Sequence, residues 1–139
     1  MHLLQPMLEK IKILLIDDDE DDRDFFQFAL EDIDKDIQYH GVESGYEALD
    51  FLKQNPLPDY IFLDLNMPGM SGRECLMELK KNAALIHIPV IIFSTSSDPN
   101  DRAETKQLGA IDFITKPSKT SDLINALNNF LSHHLSPKI

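Results

Sequence analysis

Five short apolar runs punctuate the chain: Ile11–Ile16, Ile37–Val42, Tyr60–Leu65, Val90–Phe93 and Ile111–Ile114. They are brief and rich in Ile, Val, Phe and Tyr, the pattern of strands buried on both faces. Helical patterns lie between them. Phe26, Ala29, Leu30 and Ile33 recur at i, i+3, i+4, i+7 spacing. Ser44 with Glu47, ahead of Ala48, Leu49, Phe51 and Leu52, forms an S-x-x-E capping box, and Ser71 with Glu74 forms another ahead of Cys75, Leu76 and Leu79. Asp98 followed by Pro99 reads as an N-cap with proline at the first helical position, and Gly109 is placed to end that helix. A last helix, from about Ser118 to His133, offers Leu123, Ala126, Leu127, Phe130 and Leu131 to a core. Strand and helix alternate five times, which predicts a three-layer α/β domain with a parallel sheet and right-handed crossovers.

Length and charge narrow the picture. The 139 residues suffice for one domain with one core. A net charge of −11 argues against a nucleic-acid surface, which needs clustered Lys and Arg, and leaves a metal, a basic partner or simple solubility. Cys75 is the only cysteine, so no intrachain disulfide forms and a reducing cytoplasm is expected. Met1 to Lys10 lacks the apolar stretch of a signal peptide, and no apolar run approaches the ~18 residues that span a bilayer. Residues 1–9 and 135–139 are expected to be loose tails around a domain at 10–134.

The chemistry lies just past the strands, where open parallel sheets bind ligands. Asp17, Asp18 and Asp19 follow the first strand. The third ends in Asp64, followed by Leu65-Asn66-Met67-Pro68-Gly69. The fourth ends in Ser94, Thr95, Ser96 and Ser97, and the fifth in Lys116-Pro117. Carboxylates converging on one edge repel strongly unless a cation sits among them. An all-oxygen ligand set points to Mg²⁺, which shares its shell readily with phosphate oxygens. A metal, a lysine and a hydroxyl are the parts that stabilise charge on a phosphoryl group in transfer, and a carboxylate can be its nucleophile.

The set Asp17-Asp18, Asp64, Ser94 and Lys116-Pro117 resembles the receiver domain of two-component response regulators. The intervals agree: Asp64 stands 30 residues before Ser94, and Ser94 stands 22 before Lys116. "LDLNMPGMSG", residues 63 to 72, is very close to the family's loop after the third strand. The resemblance covers about residues 10 to 133. It implies a flavodoxin-like doubly wound (βα)5 fold with strand order 2-1-3-4-5. It makes Asp64 the phosphoacceptor, with Asp18 and Asp64 binding Mg²⁺ by carboxylate, Asn66 by its backbone carbonyl and Asp17 mainly through a metal-bound water. Ser94 then hydrogen-bonds the phosphoryl oxygen, Lys116 pairs with it, the Lys116–Pro117 peptide is cis, and Phe113 occupies the aromatic switch position. The implied donor is a histidine kinase or histidine-phosphotransfer protein. Output is expected through the fourth helix, fifth strand and fifth helix to a downstream protein, from a monomer or a phosphorylation-dependent dimer. No output domain follows the last helix, so a stand-alone receiver is expected. The chain departs from the family pattern at Ser94, where threonine is commoner, and at Thr95, where many members carry alanine or glycine.

Plainer readings compete at several positions. Asp19, Glu20, Asp21, Asp22 and Asp24 suit a solvated first helical turn, where acids favour the positive helix end, with only Asp19 and Asp22 placed to reach the edge of the site. A calcium loop from Asp17 fails, because Asp22 replaces the required glycine and Phe28 the required glutamate. Phe113, Phe25, Phe28 and Cys75 are ordinary packing residues on the plain reading, with one of Phe25 and Phe28 a candidate partner contact. His2, His40, His87, His133 and His134 show no metal spacing. Two other functions stay open. One is a Mg²⁺-dependent phosphohydrolase with a D-x-D motif at Asp17 and Asp19, which leaves Asp64 unexplained. The other is a degenerate receiver used as a binding scaffold.

Overall fold

The computed structural model describes residues 10–33 and 36–134; the expected tails at 1–9 and 135–139 lie outside the described residues. Five strands and five helices alternate: β1 (Ile11–Ile16), α1 (Glu20–Glu31), β2 (Ile37–Val42), α2 (Gly45–Gln54), β3 (Tyr60–Leu63), α3 (Gly72–Lys81), β4 (Val90–Ser94), α4 (Pro99–Gln107), β5 (Asp112–Thr115) and α5 (Thr120–His134). The strands form one parallel sheet in the order β2-β1-β3-β4-β5, as the resemblance implied.

The alternation of side chains along each strand divides the core in two. Leu14, Ile16, Ile61, Leu63, Val90 and Ile92 face Ala48 and Leu52 of α2 and Cys75, Leu76 and Leu79 of α3. Ile13, Leu15, Tyr60, Phe62, Ile91 and Phe93 face α1 and α5. Phe26 of α1 anchors that second layer between Phe62 and Phe93, with ring centroids 5.1 and 5.2 Å away. The four apolar residues spaced along the first helix are all buried, although Ile33 falls just past the end of α1. Phe25 packs partly against the core, whereas Phe28 is 61% exposed.

Helix starts follow the expected chemistry with one change. Ser71 and Glu74 close a full capping box on α3. At α2 Ser44 Oγ accepts from the Glu47 N–H at 3.0 Å, but Glu47 reaches past Ser44 to the Glu43 N–H at 2.8 Å. Asp98 caps α4 through the Asn100 N–H, with Pro99 following it, and Gly109 takes φ +114° just beyond the helix.

Two close backbone approaches shape the loop after β3. Gly69 turns it with φ +76°, a conformation that glycine adopts without steric cost. Gly72 opens α3 so close to β3 that a Cβ there would stand 2.6 Å from Leu65 Cα and meet the Asp64 carbonyl oxygen. The chain after Asp64 is thus pressed back against the start of α3.

Candidate functional site

The sheet order reverses direction between β1 and β3, and the crevice at the carboxyl ends of those strands is where such folds bind ligands. The sequence places its acids there. Asp17 follows β1 directly, its N–H bonded to Val42 O at 3.0 Å. Asp64 follows β3, its N–H bonded to Ile16 O at 2.9 Å. Both carboxylates are therefore fixed by continuations of the sheet ladder. Asp17, Asp18 and Asp64 each present a carboxylate oxygen within 4.8 Å of the others. Asp17 and Asp64 are buried and Asp18 is exposed at the mouth.

Local turns hold this cluster. Asp17 Oδ1 accepts the Asp19 N–H at 3.0 Å, and Asp64 Oδ1 accepts the Asn66 N–H at 3.4 Å. Arg23, one turn into α1, donates from Nη1 to the Asp17 carbonyl at 2.7 Å. Asp19 is the N-cap of α1, accepting from the Asp21 and Asp22 N–H groups. Its carboxylate is therefore engaged with the helix, which weakens the D-x-D reading that needs Asp19 in the chemistry.

Lys116 closes the site from β5. Its N–H donates to Ser94 O at 2.7 Å, so β4 positions its backbone. Its side chain, 9% exposed, runs inward, with Nζ 2.8 Å from Asp17 Oδ2, 2.7 Å from Asp22 Oδ2 and 3.7 Å from Asp64 Oδ2. No cis peptide occurs among the described residues, so the expectation for Lys116–Pro117 is corrected: the bond is trans, the lower-energy isomer even before proline. The Lys116 N–H still reaches Ser94, so the trans bond does not prevent the lysine from facing the acids.

Electrostatics follow from this crowding. Burial pushes the Asp64 carboxyl up to about 6; Lys116 opposes that, while Asp17 and Asp18 add to it. Burial also raises Asp17, against the lowering effect of Lys116. For Lys116 burial acts downward, but its bonds to Asp17 and Asp22 prevail and hold it above the ordinary lysine range. The site is a strained collection of acids with one lysine as counterion. Asp17 Oδ2 is paired with the Lys116 ammonium at 2.8 Å. Three converging carboxylates with one lysine among them, an all-oxygen donor set, fit a hard divalent cation.

The other predicted residues lie around this cluster. Ser94 is buried at the end of β4, with Oγ accepting the Ser96 N–H at 3.2 Å. Thr95 points outward, as strand alternation required. Asn66 is exposed beside Asp64. Phe113 is buried in the α2–α3 layer, with the Arg102 guanidinium 4.7 Å from its ring centroid and Arg102 Nη1 donating to its carbonyl at 3.0 Å. Cys75 is buried, its thiol pushed up to about 12 by burial, as suits a packing residue. The ties of Lys116 to Asp22 and Asp17 and of Arg23 to the Asp17 carbonyl are contacts in the site that sequence reasoning did not supply.

A doubly wound parallel sheet whose switch point gathers three carboxylates and a lysine defines a class of α/β protein with an acidic pocket. The chain belongs to the response regulator receiver domain family, whose model matches residues 13–128. It is thus a module of two-component signalling. It is 33% identical to response regulator Rcp1 of Synechocystis over 129 residues, covering 88% of each chain. The Mn²⁺-bound form of response regulator Rcp1 superposes with a TM-score of 0.79 at 31% identity, over 92% of this chain and 96% of that one. The phosphorylated cyanobacterial phytochrome response regulator RcpA gives a TM-score of 0.83 at 32% identity, over 94% and 98%. A probable cyclic di-GMP phosphodiesterase of Vibrio cholerae is 33% identical over 141 residues, but this chain spans 30% of its length. Among the described residues no helix is long and apolar enough to cross a membrane.

Proposed function

We propose that the protein is a phosphoacceptor switch, in which Asp64 takes a phosphoryl group from a phosphohistidine of a histidine kinase or histidine-phosphotransfer protein in the cytoplasm. The observation that carries this reading is the meeting of Asp17, Asp18 and Asp64 with Lys116 at one strand edge. An Asp64 carboxylate oxygen attacks phosphorus; the P–N bond to the imidazole breaks, and its electron pair returns to the leaving nitrogen. Lys116 neutralises charge on the transferred group, and the Ser94 hydroxyl donates a hydrogen bond to one of its oxygens. The carboxylates of Asp18 and Asp64 and the carbonyl of Asn66 would hold Mg²⁺, with Asp17 acting mainly through a metal-bound water. When bound, the ion supplies positive charge against the acids and against the phosphoryl oxygens. Asp17 and Asp64 are fixed through their backbones to neighbouring strands, so the residues hold this geometry before the donor arrives.

On this reading the chain's chemistry is its own modification and slow hydrolysis, without turnover of a small substrate. Output passes through the face of α4, β5 and α5, where Phe113 and Arg102 meet. The test is incubation with acetyl phosphate or phosphoramidate and Mg²⁺, read by intact mass. Wild type should gain one phosphoryl group, and Asp64→Ala or chelation should prevent it. Equal labelling of Asp64→Ala rejects the assignment, and multiple-turnover release of phosphate from phosphomonoesters restores the hydrolase reading.

A further inference from the structure

Lys116 does not rest on the residue it is proposed to serve. Its Nζ donates to Asp22 Oδ2 at 2.7 Å and stands 2.8 Å from Asp17 Oδ2, whereas Asp64 Oδ2 stands at 3.7 Å, beyond hydrogen-bond length; Asp22 is thus one of two acids that share the lysine. Asp22 is held in place for this contact. Its N–H and that of Asp21 are bonded to the Asp19 carboxylate, at 3.2 and 2.8 Å. The Arg23 N–H bonds to Asp19 O at 3.0 Å, and the Arg23 guanidinium ties the same turn to the Asp17 carbonyl. The first turn of α1 is thus locked to the end of β1 and aims one carboxylate at the lysine.

We propose that Asp22 is a positioning residue, which holds Lys116 off Asp64 in the unmodified protein and so restrains phosphorylation. The proposal rests on the phosphoacceptor reading of Asp64. A phosphorylated Asp64 carries more negative charge and more acceptor oxygens than a carboxylate, and it competes with Asp22 for the ammonium. The Asp22–Lys116 pair then belongs to the resting state and is given up as the lysine turns. A contact stronger in the resting state than in the modified one raises the barrier to modification. Lys116 is nearly enclosed, whereas the Asp22 side chain is 35% exposed, so solvent partly screens the resting pair and eases its exchange for the phosphoryl group.

Asp22→Asn keeps the size of the side chain and removes its charge. Initial phosphorylation by acetyl phosphate at saturating Mg²⁺ should rise about fivefold, and spontaneous loss of the phosphoryl group should slow. Asp22→Glu should stay close to wild type. Asp21→Asn removes the same charge from an exposed neighbour that does not touch Lys116, and should stay within about twofold. In a Lys116→Met background Asp22→Asn should have no further effect. A readout independent of phosphoryl transfer is the crystal structure of metal-free Asp22→Asn, in which Nζ should close to within about 3.2 Å of Asp64 Oδ2. Wild-type rates in Asp22→Asn, equal acceleration by Asp21→Asn, or an unmoved Nζ each overturn the proposal. If the wild-type chain is not labelled at Asp64 at all, the functional reading fails and this inference falls with it. If wild type is labelled and Asp22→Asn matches it, only this inference falls.

Discussion

Asp64 shows how one buried acid sets the chemistry of the site. Its carboxyl titrates near 6 in the fold, against 3.8 when free. Between those values the native state binds more protons than the unfolded chain, so stability falls as pH rises. Above about 6 the full cost persists, on the order of 3 kcal/mol. Urea unfolding in EDTA should therefore give a lower stability at pH 7 than at pH 5, and Asp64→Asn should remove much of that difference. Asp18 is the contrasting case. It is exposed, so Asp18→Asn should leave stability within about 0.5 kcal/mol. Mg²⁺ affinity measured by calorimetry should nonetheless drop on the order of tenfold or more, because one of three converging charges is lost. These acids were legible in the sequence because they stand at or just past the end of an apolar run, and the rule for parallel sheets sends such positions to one edge. Asp22 was not legible in the same way. Its partner lies 94 residues away, and the pairing depends on the direction of the Lys116 side chain. The difference between Phe25 and Phe28 was equally hidden, since both are apolar neighbours in one helical turn.

Among the elements, α4 is held differently from the rest. Thr105 is its one buried residue, so apolar packing contributes little to keeping it in place. Polar ties do more: Arg73 of α3 reaches Asp101 at 2.5 Å and Glu104 at 2.6 Å, and Ser96 Oγ donates to Asp101 Oδ2 at 2.6 Å. Partly exposed pairs of this kind contribute about 1 kcal/mol or less each. Arg73→Ala should thus speed amide exchange in α4 while leaving the exchange of β1 and β3 at the global rate, as mass spectrometry can resolve. The opposite behaviour is expected at the start of α3. Gly72→Ala drives a methyl against Leu65 Cα and the Asp64 carbonyl, where backbone must move. It should cost about 1–3 kcal/mol in urea unfolding and weaken Mg²⁺ binding as Asp64 shifts. Helix starts were readable from their caps, and the limits of β1 and β2 from their apolar runs, but those of the later strands were not. The apolar run at Ile111–Ile114 becomes β5 at Asp112–Thr115, because pairing with Ile91–Ser94 sets the register and leaves Ile111 exposed.

At the scale of the molecule, alternating strands and helices predicted the layers, but not which helices cover which face. The order β2-β1-β3-β4-β5 came through family resemblance. That order matters because it sets Asp17 and Asp18 beside Asp64 rather than on separate parts of the sheet. The fold therefore assembles mutual repulsion at its own switch point, within a chain of net charge −11, and a cation bound there would relieve it. A ligand that binds only the native state stabilises it by about 2.7 kcal/mol at a hundred times its Kd. Mg²⁺ should accordingly raise the melting temperature by several degrees at pH 7.5, and EDTA should reverse the change. NaCl of matched ionic strength should not substitute, because screening acts on exposed charges and little on Asp17 and Asp64. Protons compete for the same carboxylates. Below the Asp64 value of about 6 the ion must displace a proton, so each further pH unit should lower apparent affinity by up to about tenfold. The Mg²⁺-induced shift should then shrink between pH 7 and 5. Asp18→Asn should give a small shift at both pH values. A Mg²⁺ shift that is independent of pH, or preserved in Asp18→Asn, places the ion somewhere other than the crevice between β1 and β3.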